Sequence, residues 1–294
     1  MKKKKLNKKR IFILILILVI VTIVIIKLNK KSKETKDNDI KKQTEQVAND
    51  NTQNDEEQTK EDKNLVLEQK LQNGKILSED GLPVLMYHFF YDKSKDSGKD
   101  GNWIEILNFE EQMKYLSEND FYFPTWQQVE DYIAGKQELP EKSIVITVDD
   151  GDPSFFELAV PIIQKYKIPT TSFVITYWYG NRANDKQEYV SYQSHSYDMH
   201  KAGSNGKGVM LSWDYDKIRD DILLSRDVLG GADIFCYPFG QYNDLDIKVL
   251  KENGYKLAFT TKGGRVKKGS SKYELPRVRI SGNTSISEFM KKVE

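Results

Sequence analysis

Ser143-Ile144-Val145-Ile146-Thr147-Val148-Asp149-Asp150-Gly151 is an apolar run closed by two carboxylates and a glycine. The run predicts a strand over 143–148, and Asp-Asp-Gly predicts the turn that ends it, with glycine accepting a positive φ. A helical segment over 155–165 follows, so the stretch reads as one strand, turn and helix. The pattern recurs on both sides. Residues 83–87 read as a strand. Asn108 with Glu111 predicts a capping box for a helix carrying Phe109, Met113 and Leu116 on one stripe. Thr125 predicts the cap of a second helix, with Trp126, Val129 and Ile133 inward and Gly135 ending it. Strands are expected over 171–175, 234–237 and 256–260, with helices at Tyr215, Ile218, Ile222 and Leu229 and over 245–253, the second stopped by Gly254. Such alternation predicts an α/β fold with a parallel sheet and helical crossovers. No glycine-rich turn joins a strand to a helix. This argues against a nucleotide cofactor and an open dinucleotide-binding sheet, and for a closed or nearly closed barrel with its chemistry at the carboxyl ends of the strands.

The halves of the chain differ. Its 294 residues, 38% hydrophobic and 30% charged, suit one domain of about 200 residues with appendages. Lys2, Lys3, Lys4, Lys5, Lys8, Lys9 and Arg10 precede an apolar run over 11–26, broken by Thr22. As a helix that run spans roughly 24 Å, slightly under a hydrocarbon core of ~30 Å, with Lys27 able to snorkel and Leu28 to extend it. No small-residue cleavage pattern follows, so residues 1–30 are expected to be a basic cytoplasmic tail and an uncleaved single-pass transmembrane anchor, the rest of the chain facing outward. From 31 to 79 the chain is mostly polar and is expected to be a disordered stalk, which leaves 80–294 as the folded domain. Basic and aromatic residues are not interleaved, which argues against a nucleic-acid partner. Cys236 is the sole cysteine, so no intramolecular disulfide can form.

The chain has three histidines, His88, His195 and His200. A mononuclear hydrolytic zinc site needs three protein ligands and an open position, and two imidazoles with one carboxylate are a known set. His195, His200 and one of Asp149 and Asp150 supply it. The spacing of five between these histidines does not put both on one helical face, so a loop is expected to carry them. Asp149, Asp150, His88 and Tyr237-Pro238-Phe239-Gly240 all lie just after predicted strands.

Thr147-Val148-Asp149-Asp150-Gly151, His195-Ser196 through His200, and Tyr237-Pro238-Phe239-Gly240, with Met86-Tyr87-His88 upstream, resemble the successive motifs of the polysaccharide deacetylases, the NodB-homology or carbohydrate esterase family 4 domain. The details are most similar to the branch that deacetylates biofilm poly-β-1,6-N-acetylglucosamine. The resemblance implies a distorted (β/α)7 barrel and metal-dependent hydrolysis of N-acetyl groups on a sugar polymer. It implies Asp149 as general base, His88 as general acid, and Asp150, His195 and His200 as ligands to one divalent metal ion, zinc before cobalt, nickel or iron. It also implies that the Tyr237, Pro238 and Phe239 turn borders the substrate and holds the oxyanion through a backbone N–H near Tyr237.

Two departures matter. Many members begin the third motif with an arginine that orients the catalytic aspartate, and this chain has Cys236 there; Arg277 or Arg279 is the expected substitute, against a plain structural or surface ion pair for either. Many members also carry a late Leu-x-His acid, where this chain reads Leu275-Pro276-Arg277-Val278-Arg279. Ser196 is expected either to cap the turn between the histidines and orient a ring or to be solvated. Tyr177, Trp178, Tyr179, Tyr189 and Tyr192 are expected mostly to pack in a long loop, although aromatic faces also suit sugars. The expected partner is an N-acetylglucosamine-containing polysaccharide outside the cell, with peptidoglycan as the alternative polymer and an inactive glycan-binding module as the alternative class.

Overall fold

The computed structural model describes residues 62–72, 74–204 and 206–294. In chain order, helix α1 covers residues 62–72. It is followed by β1 (Val84–Tyr87), β2 (Phe89–Tyr91), β3 (Trp103–Glu105), α2 (Ile106–Glu118), α3 (Trp126–Ile133), β4 (Val145–Val148), α4 (Val160–Tyr166) and β5 (Thr170–Val174). Then come α5 (Thr176–Ala183), β6 (Val190–Ser194), α6 (Tyr215–Val228), β7 (Ile234–Cys236), α7 (Asp244–Glu252), β8 (Leu257–Gly263), β9 (Leu275–Arg279) and α8 (Ile286–Val293). Strands β1, β4, β5, β6, β7, β8 and β9 close into a barrel, as the alternating pattern predicted. Every pairing in it is parallel. The barrel is irregular: β6 meets β7 through the single pair Ser194 and Phe235, and the β8–β9 register shifts between Phe259 and Gly263.

Apolar stripes hold helices to the barrel wall. Phe109, Met113 and Leu116 of α2, Ile162 and Ile163 of α4, and Phe289 and Val293 of α8 join Leu85, Ile146 and Val148 in one core cluster. A second cluster joins Ile218 and Ile222 of α6 and Val249 and Leu250 of α7 to Phe235, Tyr237 and Tyr255. Truncating one such aromatic, Phe109→Ala for example, costs about 3–5 kcal/mol in a core of this kind.

Some local expectations need correction. The α2 cap is Glu105, whose carboxylate accepts from Leu107 N at 2.9 Å and Asn108 N at 3.2 Å. Because β3 runs straight into α2, Asn108 already lies inside the helix. Thr125 does cap α3, in a capping box with Gln128, while Trp126 is half-buried. The segment over 155–165 opens with a π-helical turn, Phe155–Ala159, before α4. Strands β6 and β9 and helix α5 had no sequence counterpart. The compact unit that holds the barrel begins at Gln69 rather than residue 80: Ile76 pairs with Pro140, and buried Leu77 donates to Leu139 O at 2.7 Å. The end of the expected stalk is therefore structured, held by these backbone pairings and by the buried side chain of Leu77, while Ile76 stays exposed. The proposed anchor over 11–26 and the stalk over 31–61 lie outside the described residues. Among those described, no helix is long and apolar enough to cross a membrane.

Candidate active site

Strand β4 carries both carboxylates to the barrel mouth. Asp149 N continues the ladder to Tyr87 O at 2.9 Å. Asp150 and Gly151 then take φ of +75° and +73°, and two left-handed residues in succession turn the chain sharply. A side chain at Gly151 would press on Val174 at 3.0 Å. The adjacent β5 fixes Asp150 from the other side, Ile175 N donating to its carbonyl at 3.1 Å.

His195 follows β6 directly, its N–H bonded to Val174 O at 3.0 Å. Its Nδ1 lies 2.7 Å from Cys236 O, so the ring donates there and leaves Nε2 with a free lone pair. That Nε2 is 3.4 Å from Asp150 Oδ1, and His200 Nε2 is 3.4 Å from the same oxygen. The loop between the rings is pinned twice. Ser196, at φ +74°, accepts from Met199 N through its hydroxyl, and Asp221 on α6 accepts from Tyr197 N at 2.7 Å and Asp198 N at 2.8 Å. The Ser196 hydroxyl therefore caps the turn between the histidines, while its described hydrogen bonds include none to either ring, so only the first half of that expected role is seen.

These groups fit a divalent cation. Asp150 Oδ1 is buried without a hydrogen-bond partner, and the three ligand atoms lie within 4.8 Å of one another. Burial pushes His195 down in pKa, but Cys236, Asp150 and Asp149 outweigh it and hold the ring well above its ordinary value. Burial and the neighbouring His195 push His200 down to about 4. The pocket thus favours a positive charge at Asp150, held by the His195 proton or by a cation that replaces it, and a cation in that place would be met by two imidazoles and one carboxylate, the chemistry of a two-histidine, one-carboxylate metal site.

Asp149 sits in a second environment beside it. Arg277 from β9 grips it with two bonds of 2.7 Å, one to each carboxylate oxygen. The same guanidinium donates to Thr147 Oγ1 at 3.1 Å and Thr260 O at 3.0 Å, and lies 3.1 Å from Cys236 Sγ. Arg277 is 0% and Asp149 2% exposed. Burial alone would raise the Asp149 pKa; Arg277 and the nearby histidines instead hold it well below the usual carboxylate range. Of the two candidate arginines, Arg277 alone reaches the aspartate: Arg279 is exposed and bonds Asn102 Oδ1 at 2.6 Å. His88 Nε2 stands 3.7 Å from Asp149 Oδ2. Burial lowers the His88 pKa, opposed by the charges of Asp149 and Asp150.

The third motif is only partly as expected. Tyr237 is fully buried and stacks on Tyr242 at 4.7 Å, and Pro238 is buried, so neither side chain borders a groove. Strand alternation sends Tyr237 into the core between sheet and helices. Its N–H also donates to Phe259 O at 3.0 Å, while Gly240 and Gln241 donate back to Tyr237 O and Pro238 O. Phe239 alone comes to the surface, its ring 4.3 Å from that of His200. Tyr189 and Tyr192 pack against the first core cluster, whereas Tyr177 and Trp178 are exposed on α5. Local pattern does not locate the short, polar β6 that delivers His195, whereas Arg277 is one of the two alternatives expected for the place beside Asp149.

Residues 136–258 match the sequence model of the polysaccharide deacetylases. A poly-beta-1,6-N-acetyl-D-glucosamine N-deacetylase of Staphylococcus aureus (strain MRSA252) is 28% identical over 212 residues, 66% of this chain and 72% of that one. A protein of the same description from Staphylococcus epidermidis (strain ATCC 35984) is 29% identical over 194 residues, 60% of this chain and 67% of its own. Among solved structures, IcaB from Ammonifex degensii superposes with a TM-score of 0.61 at 26% identity, covering 74% of this chain and 98% of that one. The Streptococcus pyogenes deacetylase PplD in complex with acetate shares the fold, with a TM-score of 0.63 at 23% identity over 75% of this chain and 99% of its own. With its barrel, its paired aspartates and its two histidines, the chain carries a polysaccharide deacetylase domain over residues 136–258 and is similar to the NodB-homology hydrolases of carbohydrate esterase family 4.

Proposed function

We propose that the chain removes N-acetyl groups from N-acetylglucosamine units of an exported poly-β-1,6-linked polymer, using one divalent metal ion, zinc first among the candidates. The observation that carries this reading is the juxtaposition at one barrel mouth of an arginine-clamped Asp149 and a buried Asp150 oxygen faced by two imidazoles. An amide is a poor electrophile with a poor leaving group, so water must be activated, the carbonyl polarised and the departing amine protonated. Asp150, His195 and His200 would hold the metal, which when bound supplies Lewis acidity and lowers the pKa of water.

The chain's own groups do the rest. Asp149 takes the water's proton, its oxygens aimed by Arg277. His88, across from it at 3.7 Å, carries a proton to the leaving nitrogen. The N–H groups of Tyr237, Gly240 and Gln241 are committed elsewhere and Pro238 has none, so Phe239 N–H is the donor assigned to the oxyanion. General acid and base groups of this kind contribute about 10²- to 10⁴-fold. The apolar run over 11–26 and the polar segment after it would tether the domain outside the cell membrane, in reach of an exported polymer.

A free-amine assay on poly-N-acetylglucosamine and on peptidoglycan, with wild type and Asp149→Asn, tests this reading. Amine should appear from the first polymer with wild type alone. Release from peptidoglycan only would move the substrate, and release from neither, with Zn2+, Co2+ or Ni2+ supplied, would leave a glycan-binding module.

A further inference from the structure

Trp178 and Phe239 reach the barrel mouth from different strand ends, Trp178 on α5 after β5 and Phe239 in the turn after β7. Both rings border one imidazole: Trp178 lies 6.4 Å from His200 at 64°, and Phe239 lies 4.3 Å from it at 40°. They are 49% and 43% exposed, a large apolar area to leave in water beside a polar site. Tyr177, equally exposed, already has an edge-on partner in Tyr197 at 5.5 Å.

The Phe239 ring is held in place. Its backbone sits at φ +58°, a conformation that a phenylalanine adopts only at a cost. A β-carbon added to Gly208 would lie 3.1 Å from the ring, and Gly208 N is tied to Gln241 Oε1 at 2.8 Å. Strained in backbone and packed against His200 and Gly208, the ring still leaves 43% of the residue in water.

We infer that Trp178 and Phe239 form an aromatic cleft over His200 that grips the apolar C–H face of the N-acetylhexosamine unit being deacetylated. Sugar rings present such a face, and aromatic rings bury it while nearby polar groups set its orientation. This inference rests on the proposed deacetylation and deepens it: the enzyme reads the sugar ring as well as the acetyl group. Trp178 is a substrate-gripping residue, and its loss weakens binding more than turnover.

The test uses the metal-loaded full chain and a β-1,6-linked N-acetylglucosamine pentasaccharide. Tryptophan fluorescence is titrated with the sugar, and KM and kcat are measured by amine release. Sugar binding should change the fluorescence, and Trp178→Phe should lose most of that change while keeping KM within about threefold, because a phenyl ring still stacks. Trp178→Ala should raise KM roughly tenfold with kcat falling less than about threefold, and Phe239→Ala, whose N–H is the assigned oxyanion donor, should raise KM by a similar factor whatever its effect on kcat. Tyr177→Ala should bind as wild type does. The cleft is refuted if amine release proceeds and both alanine variants keep KM within about twofold. A fluorescence change that depends on Trp178, with no amine released by any form, keeps the cleft and refutes the deacetylation reading instead.

Discussion

Replacing Arg277 by glutamine should unbalance the site in a calculable way. The guanidinium makes two 2.7 Å bonds to Asp149 and further bonds to Thr147 and Thr260, all buried. Glutamine leaves Asp149 buried without its counter-charge, and breaking a buried pair in this manner costs about 3–5 kcal/mol. The sign with pH follows from the direction of the shift. In wild type the Asp149 pKa is depressed, so its contribution is complete above the unfolded value near ~3.9 and is lost only as pH falls through the folded value. In the variant burial is opposed only by the charges of His88 and His195, so the pKa rises from its wild-type value, and the penalty is largest at neutral pH and shrinks in acid. At about 2–4 °C per kcal/mol for a unit of this size, the melting temperature at pH 8 should fall by roughly 6–20 °C. Activity should fall about 100-fold or more, since a displaced base loses its aim, and the acid limb of kcat/KM should move to higher pH. Thermal melts at pH 5 and pH 8 and the pH profile of amine release measure these effects. A melting temperature within about 2 °C of wild type at pH 8, with the acid limb unmoved, would refute the clamp.

Cys236 Sγ lies 3.1 Å from Arg277, so Cys236→Arg should place two guanidinium groups in one slot and abolish soluble, active protein; adding Arg277→Leu should restore part of the amine release. His195→Ala and His200→Ala should each lower zinc affinity by at least about 10-fold, read by competition with a chromophoric chelator. His88→Gln should lower kcat by about 10²- to 10⁴-fold and flatten the basic limb of its pH profile while zinc binding persists. Burial pushes Asp246 in α7 up to about 7, with Oδ1 unpartnered and Oδ2 bonded to Asn243 N at 2.8 Å. Its stabilising contribution is therefore present below ~4 and is lost as pH rises through 7, so Asp246→Asn should gain on wild type between pH 5 and pH 8 by at most about 3 kcal/mol in urea titrations.

Much of this was legible in sequence because the signals were local. The apolar run into Asp149 and Asp150 marks β4 and the candidate site at its end, and the histidine pair marks the candidate metal ligands beside it. What escaped depended on tertiary partners. Strand β6 has no apolar run: its Gln193 side chain accepts from Asp233 N and Ile234 N, a pairing that no propensity scale records. Arg277 and Arg279 share one face of β9 by strand alternation, so period alone could not separate them. Position along the barrel does, one at the aspartate and the other at the rim beside Asn102. Tyr237 belongs to a motif whose neighbour Phe239 faces the site, yet alternation turns Tyr237 itself into the core. Glu105 caps α2 because β3 delivers it there, although glutamate is not among the favoured cap residues.

Metal occupancy measured together with acetate release is the most direct test of a site built on Asp150, His195 and His200. The full chain is dialysed against chelator, reloaded with graded zinc, and assayed on poly-N-acetylglucosamine. Acetate release should vanish after chelation and rise in step with occupancy to one ion per chain, while Asp150→Asn binds no ion and releases none. Undiminished release from chelated protein, or from Asp150→Asn, would contradict it.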